Sequence, residues 1–200
     1  LMHAAAAYYA RTGRVSDGSA IDAVLVRILK AGDYGVPMFF AISGFILALP
    51  FAQHHLEGAQ RPSLKRYFTR RVTRLEPPYI LFLCVRLAIA LARGAGLAIV
   101  PHFIASCFYA HAFVYGEPPA IGFIAWSLEV EVQFYILAPL LTLVFAIPNR
   151  PARLTILLAA MLAFSSFFGV AKPESGLFLH NHAAYFLAGL VLAELYLYDL

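Results

Sequence analysis

Charge is what this sequence has least of. Asp, Glu, Lys and Arg make up 13% of its 200 residues, against 62% hydrophobic residues and a mean hydropathy of +0.75. Soluble domains carry about a quarter charged residues, so a soluble globular enzyme is excluded. Cysteine is nearly absent too. Cys84 and Cys107 lie in or beside apolar runs, where a free thiol behaves as a small buried hydrophobe. Neither a disulfide nor a metal site is expected from them, and no bound cofactor is required. Also missing is the period-two alternation of a membrane barrel, which comes in segments of about ten residues. The apolar runs here are continuous. A backbone in lipid must satisfy its own hydrogen bonds, so helices are the expected solution.

Acidic residues are also few, 11 against 15 Lys and Arg, which gives a net charge of +4. That excess does not point to nucleic acid. Most of the basic residues fall in one short segment beside an apolar run, the positive-inside pattern of membrane proteins. The expected fold is therefore an all-α, polytopic transmembrane helical bundle embedded in a lipid bilayer. Residues 1–200 are expected to form a single membrane domain truncated at both ends, since the chain starts within one apolar segment and stops straight after another.

The rest of the chain is organised around residues 125–139, AWSLEVEVQFYILAP, which place two carboxylates at the mouth of a long apolar run. An ionisable group in a membrane helix costs at least a few kcal/mol, and by default it marks a site. Glu131 is expected to be the deeper of the two. Phe134, Tyr135, Leu137, Leu140 and Leu141 follow at helical spacing, so one helix carries Trp126, Glu131 and Tyr135 near its start.

In chain order, residues 1–10 read as the last turns of a first span containing His3, and residues 11–33 as an extramembrane loop. Residues 35–50 form a second span, with Ser43 and Gly44 as small residues that let helices approach closely. The basic segment 61–74 should be cytoplasmic, with Pro77 and Pro78 stopping its helix and starting a third span at Tyr79. Arg86 lies about 10 Å into that span at 1.5 Å per residue and asks for a partner.

Residues 97–115 cross the membrane or form a re-entrant or interfacial element. Charge bias favours the second, because it leaves Arg150 and Arg153 inside. Two further spans are expected at 154–170 and 182–198, about six in all. His54, His55, His102, His111, His180 and His182 read as polar residues at span ends, without the acid or Cys cluster a metal needs.

On this topology His3, Ser43 and Glu131 each lie roughly 12 Å below the outer face, on three different helices. A His acts as a general base near neutral pH, and a carboxylate orients it or stabilises the imidazolium. The layer suits deprotonation of an acceptor hydroxyl. It would equally serve as a set of structural polar groups.

Three ordered stretches, residues 35–45 (GVPMFFAISGF), 70–77 (RRVTRLEP) and 126–135 (WSLEVEVQFY) followed by Pro139, resemble the motifs of the acyltransferase family 3 membrane proteins. Residues 185–189 (YFLAG) are similar to a later span of that family. The resemblance implies transfer of an acyl group, commonly acetyl from acetyl-CoA or another acyl-CoA, onto a sugar hydroxyl of a surface glycan. It implies that His3 is catalytic, as base or as transient acyl carrier, with Glu131 beside it. Arg71 and Arg74 match the family's cytoplasmic arginines that hold the donor, and Ser43, Trp126 and Tyr135 fall in the matching motifs as substrate- or donor-binding positions. The expected setting is a bacterial-type cytoplasmic membrane.

Two other classes fit intramembrane His, Glu and Arg: a transporter or flippase, which lines a path with them, and a structural subunit, which needs none of them. A transferase requires His3, Ser43 and Glu131 to converge in a cavity open towards Arg71.

Overall fold

The computed structural model describes residues 35–122, 125–168 and 176–198. His3, the first span and the loop at 11–33 lie outside the described residues. The chain divides into two units, Leu1–Phe39 and Phe40–Leu200, and the packing below concerns the second. Everything described is helix or turn: α1 (Gly35–Glu57), α2 (Leu64–Ala92), α3 (Val100–Cys107), α4 (His111–Tyr115), α5 (Trp126–Leu141), α6 (Arg150–Phe168) and α7 (Leu179–Tyr198). Among the described residues three helices are long and apolar enough to cross a membrane: α1, α2, and α5 with the 3-10 turn Thr142–Ala146 that extends it. The protein is thus an all-helical membrane protein, as its composition dictates.

Two prolines were expected to end a helix and do not. α2 starts at Leu64, with the Ser63 side chain accepting from the Arg66 amide, and it runs through Pro77 and Pro78 to Ala92. Proline's fixed φ is helical, so its cost falls on the carbonyl four residues earlier. Those carbonyls belong to Thr73 and Arg74, both exposed. The basic residues from Lys65 to Arg74 therefore sit on the first turns of one 29-residue helix, not on a separate helix before it. In the same way α1 passes Pro50 and continues to Glu57.

Residues 97–115 break into two short helices. Tyr109, at φ 53°, turns the chain between α3 and α4, and neither piece approaches the roughly 20 residues of a span. This agrees with a non-crossing element. Its anchor is Tyr79 of α2, which donates to the Ser106 carbonyl at 2.9 Å and stacks on Tyr109 at 4.7 Å. Arg86 finds its partner nearby, donating to the Ile121 carbonyl at 2.8 Å. Cys84 and Cys107 are free thiols, and Cys84 is exposed, not buried.

Small residues set the crossing of α1 and α7. A Cβ on Gly44 would meet the Phe186 carbonyl oxygen, and one on Gly189 would meet the Ala41 carbonyl oxygen and the Phe45 amide nitrogen. The two backbones touch, as small residues permit in lipid. Gly189→Val should lower stability in detergent by about 1–3 kcal/mol through overpacking. An unchanged thermal midpoint would show that the crossing is not a constraint.

Candidate active site

Glu131 is 2% exposed on α5, and Ser43 reaches it from α1, donating to Oε1 at 2.7 Å. Tyr135 stands one turn along α5, on the same face as Glu131 by its i, i+4 spacing. Oε2 is buried and has no hydrogen-bond partner among the described residues. A buried carboxylate oxygen left unpaired costs several times what an ordinary hydrogen bond contributes. Such an atom calls for a cation or a donor.

The cation nearest in kind comes from α2. Arg71 is half-buried, its guanidinium 5.8 Å from the Tyr67 ring centroid and 5.6 Å from that of Tyr135, within the ~6 Å of a cation–π contact. Arg74 lies one turn on and is exposed. The charges of both arginines act on Glu131. Because α2 runs unbroken from Leu64 through Pro77 and Pro78, these arginines share a helix with the span, whereas the sequence reading ended their helix at the two prolines. A cavity of about 170 Å³ opens here, lined by Arg71, Glu76, Tyr109, Val132 and Tyr135 among others, and Glu76 hydrogen-bonds the Tyr109 hydroxyl. Of the sequence-derived candidates, the structure brings Ser43, Glu131, Tyr135, Arg71 and Arg74 into one neighbourhood. His3 lies outside the described residues.

Trp126 is buried elsewhere on α5. Its ring packs against His182 at 5.3 Å and edge-on to Phe40 at 6.3 Å, in a cluster with Phe186 and Phe134. His182 lies in the first turns of α7, 3% exposed, with Nε2 2.8 Å from the Gly176 carbonyl. It stands at the start of α7, as expected of a span-end residue, and is also part of the core.

Glu129 is buried as well, at 0% exposure. Two residues on a helix are about 200° apart, so Glu129 faces away from the Ser43 side. Its Oε2 accepts from the Ala112 amide at 3.0 Å, which satisfies a donor at the start of α4. Spacing alone would have separated the roles of Glu129 and Glu131.

His111 is likewise fully buried. Nδ1 lies 3.1 Å from the Glu117 carbonyl and can only donate to it; Nε2 then accepts from His102 Nδ1 at 2.9 Å. Burial holds its pKa below the usual histidine value, with neighbouring His102 pushing the same way and the Glu117 carbonyl opposing. Among the described residues no group of three or more His, Cys, Asp or Glu is placed to hold a metal.

A larger cavity, about 500 Å³, is lined by Phe113, Phe134, Leu137, Phe164, Phe178 and Phe186 among others. It is almost wholly apolar and touches neither Glu131 nor Arg71. In a chain whose helices face lipid, such a groove needs nothing more than hydrocarbon to fill it; the smaller cavity, also mostly apolar, is the one that Arg71 and Tyr135 line.

A family model described as an acyltransferase domain, acyltransferase 3, matches residues 1–200. The O-acetyltransferase OatA of Staphylococcus aureus strain NCTC 8325 / PS 47 is 31% identical over 123 residues, 56% of this chain and 20% of that protein. The protein of the same name from strain COL matches to the same extent. The chain thus spans about a fifth of the length of these relatives. No solved structure matches it.

Proposed function

The chain belongs to the acyltransferase 3 family, and from that membership we propose that it transfers an acyl group, acetyl in the first instance, from acyl-CoA to a hydroxyl of a carbohydrate or surface glycan. The single observation that carries the reading is the buried Glu131 carboxylate, with one oxygen held by Ser43 and the other lacking a partner among the described residues, beside a half-buried arginine.

The proposed reaction follows from the chemistry of these groups. Arg71 and Arg74 hold donor phosphates, which guanidinium groups bind bidentately. His3 takes the proton of the acceptor hydroxyl, and the oxygen attacks the thioester carbonyl carbon. The C–S bond breaks, the ester forms, and the CoA thiolate leaves with the proton that His3 held. Glu131 stabilises the imidazolium, Ser43 fixes the carboxylate, Tyr135 faces Arg71, and Trp126 shapes the surrounding core. The bacterial relatives, named for O-acetyl transfer, and the span-length helices support placing the site in a bacterial cytoplasmic membrane.

The test is transfer of radiolabel from acetyl-CoA in membranes carrying the full-length protein. Label should appear in a glycan or glycolipid fraction. If no fraction acquires label while the protein is present and folded, the acyl-CoA reading is wrong and a transport function gains ground.

A further inference from the structure

Pro139 lies inside α5 and has no N–H, so the carbonyl four residues back loses its helical partner. That carbonyl belongs to Tyr135. It is not left unpaired: the Tyr67 hydroxyl of α2 donates to it at 3.1 Å. Tyr67 is itself held against Phe51 of α1, ring centroids 5.7 Å apart and 73° to each other. Arg71 follows Tyr67 by four residues, on the same face of α2, and its guanidinium lies near the rings of both tyrosines. Tyr135 is therefore a junction. It lies one turn from Glu131 on the same helix face, its ring faces Arg71, and its carbonyl, freed by Pro139, takes Tyr67.

We infer that Tyr67 is a positioning residue for Arg71, acting through the Tyr135 carbonyl that Pro139 leaves open. One hydrogen bond sets the register of α2 against α5, and that register keeps the arginine near two aromatic rings. The inference rests on the proposed function in one respect, that Arg71 binds the acyl donor. It assigns Pro139 a role other than kinking the helix: it creates the acceptor.

The experiment is a double-mutant cycle in the full-length protein, comparing wild type, Tyr67→Phe, Pro139→Ala and the double variant. Tyr67→Phe keeps the ring and loses only the donor. It should raise the KM for acetyl-CoA about three- to tenfold, the worth of one hydrogen bond, with kcat changed less than twofold. Pro139→Ala restores the N–H, so the Tyr135 carbonyl has a partner within α5 and the hydroxyl becomes dispensable. In that background Tyr67→Phe should change KM less than twofold.

Thermal unfolding of the same four proteins reads the bond without catalysis. Tyr67→Phe should lower the midpoint in the wild-type background and not in the Pro139→Ala background. An unchanged KM in folded Tyr67→Phe overturns the positioning role, and equal KM effects in both backgrounds overturn the action through the freed carbonyl. If wild type transfers no acetyl from acetyl-CoA, the donor reading fails and Tyr67's part in it fails too, while coupled midpoints would still establish the bond and additive ones would refute it.

Discussion

His3→Ala and Glu131→Gln should each reduce acyl transfer by at least about a hundredfold, the lower end of what a positioned acid–base group contributes. Glu131→Gln is the sharper of the two. Its carboxamide oxygen still accepts the Ser43 hydroxyl that now lies 2.7 Å from Oε1, so the helix contact survives. What disappears is the negative charge, which the proposed reaction requires to stabilise a protonated base. The buried position of the second oxygen, without a partner among the described residues, makes a purely structural role for this acid expensive. The measurement is radiolabel incorporated from acetyl-CoA at matched expression of the full-length protein. Label retained in Glu131→Gln would sink the assignment of this acid. Label retained in His3→Ala would move the base elsewhere while leaving the fold and the family untouched.

The largest effect on stability should come from the opposite end of the bundle. Arg153 of α6 is 6% exposed and Glu194 of α7 is 1% exposed, and they pair bidentately at 3.0 and 2.6 Å. The remaining nitrogen of Arg153 donates to the Ile147 carbonyl at 2.6 Å and to that of Pro148 at 3.3 Å. One guanidinium thus ties α6, α7 and the turn that follows α5. Glu194→Ala leaves a buried cation with its carboxylate gone, and breaking such a pair costs about 3–5 kcal/mol. That corresponds to a fall of roughly 10 °C in thermal midpoint for a chain of this size. Replacing both residues, Arg153→Met with Glu194→Leu, should cost less than Glu194→Ala alone, because the buried pair leaves together and only the partly exposed Arg150, 3.8 Å from Glu194, loses its acid. A double variant as unstable as the single one would show that helix packing, not charge, accounts for the loss.

Glu194 also shows where the sequence reading fell short of its own logic. A lone acid in the apolar run of residues 182–198 meets the same test that singled out Glu131, and the same cost argument predicts a buried partner. Arg153 stood in the sequence as a topology signal only, since nothing local says that two residues 41 apart meet. Pro77 and Pro78 misled for a different reason. Their effect depends on whether the carbonyls of Thr73 and Arg74 are buried, which is a property of the assembled bundle. By contrast, Gly44 and Gly189 were recognisable as packing residues, because lipid offers helices little besides close approach to hold them together.

The sequence by itself determined that this protein is helical, that it belongs in a membrane, and which acid to watch. Those follow from interactions each segment makes with solvent alone: a continuous apolar run satisfies its backbone only as helix, and a carboxylate within it is costly wherever it points. Only the tertiary structure decided that Ser43 holds Glu131, that Arg71 stands near two aromatic rings, and that Glu129 faces away to serve α4. Those facts depend on the register and rotation of helices far apart in sequence. Backbone contact at Gly44 and Gly189 and a carbonyl freed by Pro139 set that geometry, and neither has a partner until the bundle is packed.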